Sequence, residues 1–96
     1  MAEPRADDVW RAQFGSLVRE IAARNAPGMR PGTLSSTLEL SRHAEEELAL
    51  DNLCHVIEYV GLSLSRAHYA LLAGLADRLD MGDTLQEIDL LPFAED

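Results

Sequence analysis

The candidate catalytic or metal-binding residues of this sequence are its three histidines and its single cysteine: His43, Cys54, His55 and His68. Their spacing matches none of the arrangements that bring several ligands onto one metal, such as Cys-x-x-Cys or His-Glu-x-x-His. His43 and Glu47 would lie one helical turn apart if a helix began early, but two ligands do not complete a metal site. We therefore predict that the chain holds no metal and no cofactor.

His55 has the sequence setting of a general base. Asp51 lies four residues before it and Glu58 three residues after it, so a helix would bring either carboxylate to the imidazole. The alternative is a histidine in solvent beside acidic neighbours, which we favour because the sequence offers no nucleophile and no glycine-rich loop. Cys54 borders an apolar stripe in an acidic region, whereas a reactive thiolate needs electropositive surroundings. The prediction is that the protein is not an enzyme and has no catalytic residues.

Apolar residues recur at intervals of three and four in the segments that must position these side chains. The pattern predicts amphipathic helices over 7–24, 45–60 and 66–79. Segment 34–44 predicts a brief helix, with a strand as the alternative, and the tail predicts one or two further turns through Leu85 and Ile88. The apolar stripe of the helix over 45–60 is formed by Leu50, Leu53, Ile57 and Val60.

Glycine, proline and serine mark the breaks between these helices. Two Pro-Gly pairs predict a loop over 25–33, Gly61 is placed to end a helix, and Ser65 is placed to begin the next. We expect a turn at 62–65 and frayed ends in the last four residues. Residues 1–96 therefore predict a single all-α domain, a small bundle of three to four helices, or five if the short ones are counted.

Acidic residues are concentrated in the second half of the chain. The formal net charge is −9, with 5 acids and 6 arginines in residues 1–44 against 12 acids and 2 arginines in residues 45–96. A surface this negative repels phosphate backbones and anionic lipids, so we predict no nucleic acid and no membrane as partners. A net charge of this size either keeps a small protein soluble or serves to bind a cationic protein. The concentration of the acids in the second half of the chain favours binding to a cationic protein.

Cysteine usage and hydropathy indicate the compartment. A single cysteine excludes an internal disulfide. The N-terminal residues lack the basic-then-apolar layout of a signal peptide, and the longest apolar stretch, 69–76, is too short to span a bilayer. We therefore expect a cytoplasmic protein.

Several short runs within Glu45–Met81 match the pattern of a known family. The acidic pair Glu46-Glu47 leads into the run Leu48–Cys54, and the pair Glu58-Tyr59, a Leu-Ser repeat at 62–65 and Tyr69 follow. In these runs the chain resembles the small MafI-type immunity proteins of bacterial polymorphic-toxin and contact-dependent inhibition systems. The resemblance implies a cytoplasmic inhibitor that binds a cognate toxin, often a nuclease, and blocks it.

Charge and resemblance together predict a surface that binds a basic toxin. A nuclease active site is cationic because it grips phosphates, so carboxylates on a helix would cover it. Tyr59 and Tyr69 would each supply an aromatic anchor, with core packing as the alternative for both, and Asn52 would serve either a partner or the helix packing. The predicted partner-binding residues are Glu46, Glu47, Asp51, Glu58, Tyr59, Asp77 and Asp80.

Two other functions share parts of this pattern. An acidic helical regulatory or adaptor module would sequester a basic protein by the same electrostatics. A self-associating bundle would use Trp10, Phe14 and Ile21 as a homodimer seam. The sequence leaves open whether the chain is a monomer or a homodimer.

Overall fold

The chain forms five α-helices over the residues that the computed structural model describes, which are 6–30, 32–43, 45–87 and 90–95. None of the helices in these ranges combines the length and the apolar character needed to cross a membrane. The predicted all-α bundle is confirmed. The helices are α1 (Ala6–Asn25), α2 (Ser35–Arg42), α3 (Glu46–Val60), α4 (Arg66–Arg78) and α5 (Gly82–Glu87). They are joined by 3₁₀ turns at Ala26–Gly28 and Leu91–Phe93 and by two-residue strands, β1 (Leu64–Ser65) and β2 (Ala94–Glu95).

The apolar stripe of α1 faces the core of the protein. Trp10, Phe14 and Ile21 are at most 3% exposed, and the Trp10 ring stacks on Phe14 with centroids 4.8 Å apart. The indole N–H of Trp10 donates a hydrogen bond to the carbonyl of Leu75 in α4 at 2.9 Å. The alternative of a homodimer seam through Trp10, Phe14 and Ile21 is wrong, because these side chains are buried in the protein's own core.

Polar contacts along α1 fix the direction of α4. Arg78, at the end of α4, donates to Gln13 near the start of α1 at 2.7 Å, and His68, near the start of α4, lies 3.5 Å from Glu20. The two helices are therefore antiparallel. α2 packs on both α1 and α3, and α5 packs on α4. The core between the helices is filled mainly by leucine and isoleucine side chains: Leu17, Ile21, Leu50, Leu53, Ile57, Leu72 and Leu75.

α3 ends at the predicted glycine. Gly61 has φ 80°, in the left-handed region that a residue without a Cβ enters at little cost, and its amide donates to the carbonyl of Ile57 at 2.9 Å. Val60 is 47% exposed although the helical stripe placed it in the core. It lies in the last turn of α3, where it lines a groove together with Thr33, and Leu62 beyond the glycine is buried.

Leu62 and Leu64 are buried and Leu64–Ser65 form the strand β1, so the predicted turn at 62–65 is wrong. Leu64 pairs with Ala94 in a short parallel ladder between β1 and β2. The side chain of Asn25 holds the segment from the other side, donating to the carbonyl of Ser63 at 2.9 Å and accepting from its amide at 2.8 Å. The expectation of frayed ends fails at Ala94–Glu95, because these residues pair with a strand far away in the sequence.

Ser65 caps α4 as predicted. Its hydroxyl accepts from the amide of His68 at 3.0 Å, and its own amide donates to Nδ1 of His68 at 3.3 Å. This reciprocal arrangement is a capping box with histidine as the third residue. The further turns predicted for the tail correspond to α5, while Ile88 lies outside the described residues.

Candidate protein-binding surface

The thiol of Cys54 lies in the core, not at a reactive site. The residue is fully buried on the inner face of α3. Burial, and to a smaller extent the charge of Asp51, raises the pKa of the Cys54 thiol from 9.0 to about 12. The group is therefore protonated at neutral pH, and a protonated thiol is a poor nucleophile.

The three histidines lie on separate elements. His43 follows the end of α2 with Nε2 3.2 Å from Glu39, and not one turn from Glu47, because α2 ends at Arg42 and α3 begins at Glu46. His68 belongs to the cap of α4. Within the described parts of the chain, no three His, Cys, Asp or Glu side chains come close enough to hold a metal ion.

His55 is exposed on α3 and lies beside Asp51, one of the two acidic neighbours predicted for it. Its Nδ1 lies 2.9 Å from the backbone carbonyl of Asp51 and 3.5 Å from the Asp51 carboxylate. A carbonyl oxygen only accepts, so Nδ1 carries the proton of this hydrogen bond. Among the described residues, no hydroxyl or thiol side chain is hydrogen-bonded to His55.

Three carboxylates form a line along the outward face of α3, which we call the acidic ridge: Glu47, Asp51 and Glu58. At 100° per residue they lie within about 40° of one another around the helix axis, and they span about 16 Å along it. Glu47 and Glu58 are exposed, and the Asp51 side chain is 49% exposed. The opposite face of α3 is buried, so the helix presents these charges on a fixed support.

No arginine of the described chain forms an ion pair with the acidic ridge. The arginines of α1 and α2 are in part held by nearby acids. Arg11 contacts Asp8 and Glu46, and Arg42 lies 3.5 Å from Glu39. The separation of charge in the sequence is thus present on the surface, where the ridge keeps an unbalanced negative charge.

Glu46 differs from the other predicted partner-binding acids. Its side chain is only 19% exposed, and its Oε1 accepts a hydrogen bond from Nη1 of Arg11 at 3.0 Å. This contact joins the first turn of α3 to the start of α1. We therefore assign Glu46 to the packing of these helices and leave it out of the binding surface.

The two tyrosines lie in contrasting environments. Tyr69 is half-buried and packs against the core, which agrees with the alternative that this tyrosine serves core packing. Tyr59 is 92% exposed, so core packing is wrong for this residue. It borders a groove of about 420 Å³ at the C-terminal end of α3, which we call the Tyr59 groove, and its lining residues are Thr33, His55, Val56, Glu58, Tyr59 and Val60.

Asp77 and Asp80 are exposed but belong to another part of the molecule. Asp77 lies in the last turn of α4, and Asp80 follows that helix with φ 59°. α4 packs mainly on α1 and α5, whereas α3 packs mainly on α2. No hydrogen bond or ion pair in the described chain joins these two aspartates to the acidic ridge.

Asn52 has a partner inside the protein. The buried hydroxyl of Thr37 in α2 donates a hydrogen bond to its Oδ1. Of the two roles that the sequence left open, this contact supports helix packing. Sequence reasoning missed the Tyr59 groove, because Val56 and Val60 share the helical spacing of core residues and Thr33 reaches them only through the fold.

Comparison of the chain with known protein families, with curated proteins and with solved structures finds no match. The resemblance to MafI-type immunity proteins therefore stays a prediction.

Proposed function

We propose that this protein is a cytoplasmic immunity protein that binds a basic bacterial toxin through the outward face of α3 and neutralises it. The main observation behind the proposal is the acidic ridge. Its three carboxylates lie in line on one helix and have no arginine partner in the described chain. The acidic second half of the sequence and the runs that resemble immunity proteins support the same function.

The rigidity of α3 suits inhibition. Leu50, Leu53 and Ile57 are fully buried on its inner face, so the helix does not have to become ordered when it binds. Because the helix backbone is already ordered, association costs only the ordering of the exposed side chains, and this raises affinity relative to a segment that folds on binding. A toxin that acts on nucleic acid carries cationic groups for phosphates, and carboxylates at the spacing of the ridge would occupy those groups.

The charge of the acidic ridge also acts before contact. Complementary potentials steer two proteins together and raise the association rate by 10-fold to 1,000-fold at low salt. Rapid capture matters for an inhibitor, because every toxin molecule that stays free continues to act. The ridge would supply this steering without any conformational change.

The test starts from capture of the partner and ends with protection of cells. The protein is used as bait in its native host, the captured partner is identified by mass spectrometry, and that partner is expressed in cells with and without the 96-residue chain. The proposal expects the partner to be basic and toxic, and co-expression to restore growth.

Matched variants connect protection to the ridge. The triple variant E47Q/D51N/E58Q removes its three charges at constant size, and E20Q/D83N/E87Q removes three exposed charges elsewhere. We expect the first to lose protection and the second to keep it. A captured basic protein that is not toxic would support the adaptor function instead, and protection by the ridge variant at the wild-type level would overturn the assignment of the surface.

A further inference from the structure

A groove between α1 and α2 is lined by arginines, although the protein as a whole is strongly acidic. It has a volume of about 300 Å³, and we call it the arginine groove; it is lined by Arg11, Gly15, Arg19, Leu38, Ser41 and Arg42. It contains three of the eight arginines of a chain whose formal net charge is −9. Among the described residues no carboxylate lines it. The groove is therefore a local concentration of cationic side chains.

Helical spacing places the arginines of α1 on one side of that helix. Arg11, Gly15 and Arg19 follow one another at intervals of four, so they lie within about 80° around the helix axis. Nη1 of Arg19 lies 3.5 Å from the point where a Cβ of Gly15 would stand. The guanidinium of Arg19 therefore folds back along α1 toward Arg11, over a residue that has no side chain to cover the groove.

The three guanidiniums differ in how far carboxylates engage them. Arg11 is held in place by two acidic side chains. Nη1 of Arg42 lies 3.5 Å from Glu39, which is longer than an ordinary hydrogen bond, and both side chains are exposed, so this contact is weak and easily exchanged. Arg19 is exposed and forms no ion pair with any described residue. Arg19 and Arg42 can therefore pair with an incoming anion.

We propose that the arginine groove binds the phosphate group of a phosphorylated small molecule. Arg19 from α1 and Arg42 from α2 would each donate two N–H groups to the phosphate oxygens, in the forked geometry that a guanidinium offers. A phosphate monoester carries a charge of about −1.5 to −2 at pH 7 and three terminal oxygens, so it can pair with two guanidiniums. A carboxylate has one charge and two oxygens, so it pairs fully with only one.

The remaining lining suits the organic group that carries the phosphate. Ser41 is 5% exposed and adds a polar wall, and Leu38 packs against the core and adds an apolar one. The volume of about 300 Å³ is at the lower end of the range for small-molecule sites. It is about ten times the share of one water molecule in the liquid, so the groove has room for more than a phosphate ion.

The charge of the rest of the molecule favours a small phosphate over a nucleic acid. Exposed charges farther apart than the screening length, about 8 Å at physiological salt, interact weakly. A small anion therefore meets mainly the arginines of the groove. A nucleic acid extends beyond the groove and meets a surface with a net charge of −9, which repels its phosphate backbone.

The experiment uses the protein alone and follows the amide shifts of the ¹⁵N-labelled chain by NMR. The chain is titrated with phenyl phosphate, benzoate, inorganic phosphate and a single-stranded oligothymidine. We expect phenyl phosphate to cause saturable shifts at Gly15, Arg19 and Arg42 and to bind at least about three-fold more tightly than benzoate, which offers fewer acceptors. Inorganic phosphate should bind more weakly because it lacks the organic group, and the oligothymidine should bind no more tightly than phenyl phosphate.

Two variants in the groove and one outside it complete the test. Arg19→Gln and Arg42→Gln should each weaken the binding of phenyl phosphate about three-fold or more, because each removes one forked pair. Arg66→Gln removes the same charge from an exposed position at the start of α4 that does not line the groove, and it should leave binding unchanged. These exposed substitutions do not touch the core.

Four results would overturn the assignment. They are the absence of saturable shifts at the groove, equal binding of phenyl phosphate and benzoate, tighter binding of the oligothymidine, and equal loss in Arg66→Gln and Arg19→Gln. Inorganic phosphate that binds as tightly as phenyl phosphate would overturn the role of the organic group. The proposed immunity function does not depend on this site, so neutralisation of a toxin and phosphate binding succeed or fail separately.

Discussion

Nη1 of Arg11 lies 3.0 Å from Oε1 of Glu46 and ties the start of α1 to the first turn of α3. Glu47, the next residue, is exposed and has no arginine partner in the described chain. Adjacent residues of a helix point about 100° apart, so one carboxylate faces the neighbouring helix and the other faces solvent. This relationship divides the acids of α3 into one that supports the fold and three that are available to a partner.

Glu46→Gln should lower the free energy of unfolding by about 1 kcal/mol, because it weakens a partly buried, charge-assisted hydrogen bond. Urea denaturation measures this change. Combining Glu46→Gln with Arg11→Met in a double-mutant cycle should give a favourable coupling energy, whereas Glu47→Gln with Arg11→Met should give none. Toxin binding should not change in Glu46→Gln, and a large loss of binding would return this residue to the partner surface.

Trp10→Phe should destabilise the protein by about 2–3 kcal/mol. The substitution removes the indole N–H that donates to the carbonyl of Leu75 at 2.9 Å, leaves that buried acceptor without this donor, and opens space in the core. Denaturant unfolding followed by circular dichroism measures the loss. A change below about 0.5 kcal/mol would contradict a structural role for this hydrogen bond.

Because of Cys54, the free energy of unfolding should fall as the pH rises in the alkaline range. The pKa of its thiol is about 12 in the folded protein against an ordinary value of 9.0, so the folded state keeps a proton that the unfolded state releases. This contribution is complete below pH 9 and is lost as the pH rises toward 12, with a slope of up to about 1.4 kcal/mol per pH unit. Urea unfolding at several pH values between 8 and 10.5 measures the slope.

The Cys54→Ala variant is the control for this slope, because it has no thiol to titrate and should show a flatter dependence. The same burial predicts that a thiol reagent such as iodoacetamide modifies the unfolded chain at pH 8 much faster than the folded chain. Equal rates in the two states would show that the thiol is accessible, in conflict with its burial.

The local features of the fold follow from the sequence. The spacing of Trp10, Phe14 and Ile21 predicted α1 and its buried face, and Gly61 and Ser65 predicted the end of α3 and the start of α4. These features depend on residues within one or two turns of each other. Helical periodicity, a left-handed glycine and a serine cap therefore act largely without regard to the rest of the chain.

The features that the sequence did not predict depend on contacts between distant residues. The strand at Leu64–Ser65 exists because Ala94–Glu95 pairs with it, and Asn25 stabilises it from α1. Val60 has the spacing of a core residue but is 47% exposed. Periodicity gives the face of a helix and not the length over which a neighbour covers that face.

The candidate surface could be predicted in part. The line of Glu47, Asp51 and Glu58 on one face of a helix follows from their spacing, and all three lie on the surface. The pairing of Glu46 with Arg11 and the exposure of Tyr59 do not follow from spacing. They depend on how α1, α2 and the loop at Thr33 pack around α3.

Association with the toxin should depend on salt. If the acidic ridge steers the encounter, the association rate should fall about ten-fold between 0.05 and 0.5 M NaCl, because the screening length shortens from more than 10 Å to about 4 Å. The dissociation rate should change less. Stopped-flow fluorescence or surface plasmon resonance measures both rates, and a salt-independent association rate would argue against steering.

We predict that the acidic ridge is where the proposed toxin binds. The Kd of the toxin complex for E47Q/D51N/E58Q and for E20Q/D83N/E87Q, measured by calorimetry at 0.15 M NaCl on proteins shown to be folded, tests this prediction. Both variants lose three negative charges. We predict that the ridge variant binds at least ten-fold more weakly than the wild type and that the other variant binds within about three-fold of it. Equal loss in the two variants would mean that only the total charge matters, and no loss in the ridge variant would place the toxin elsewhere on the molecule.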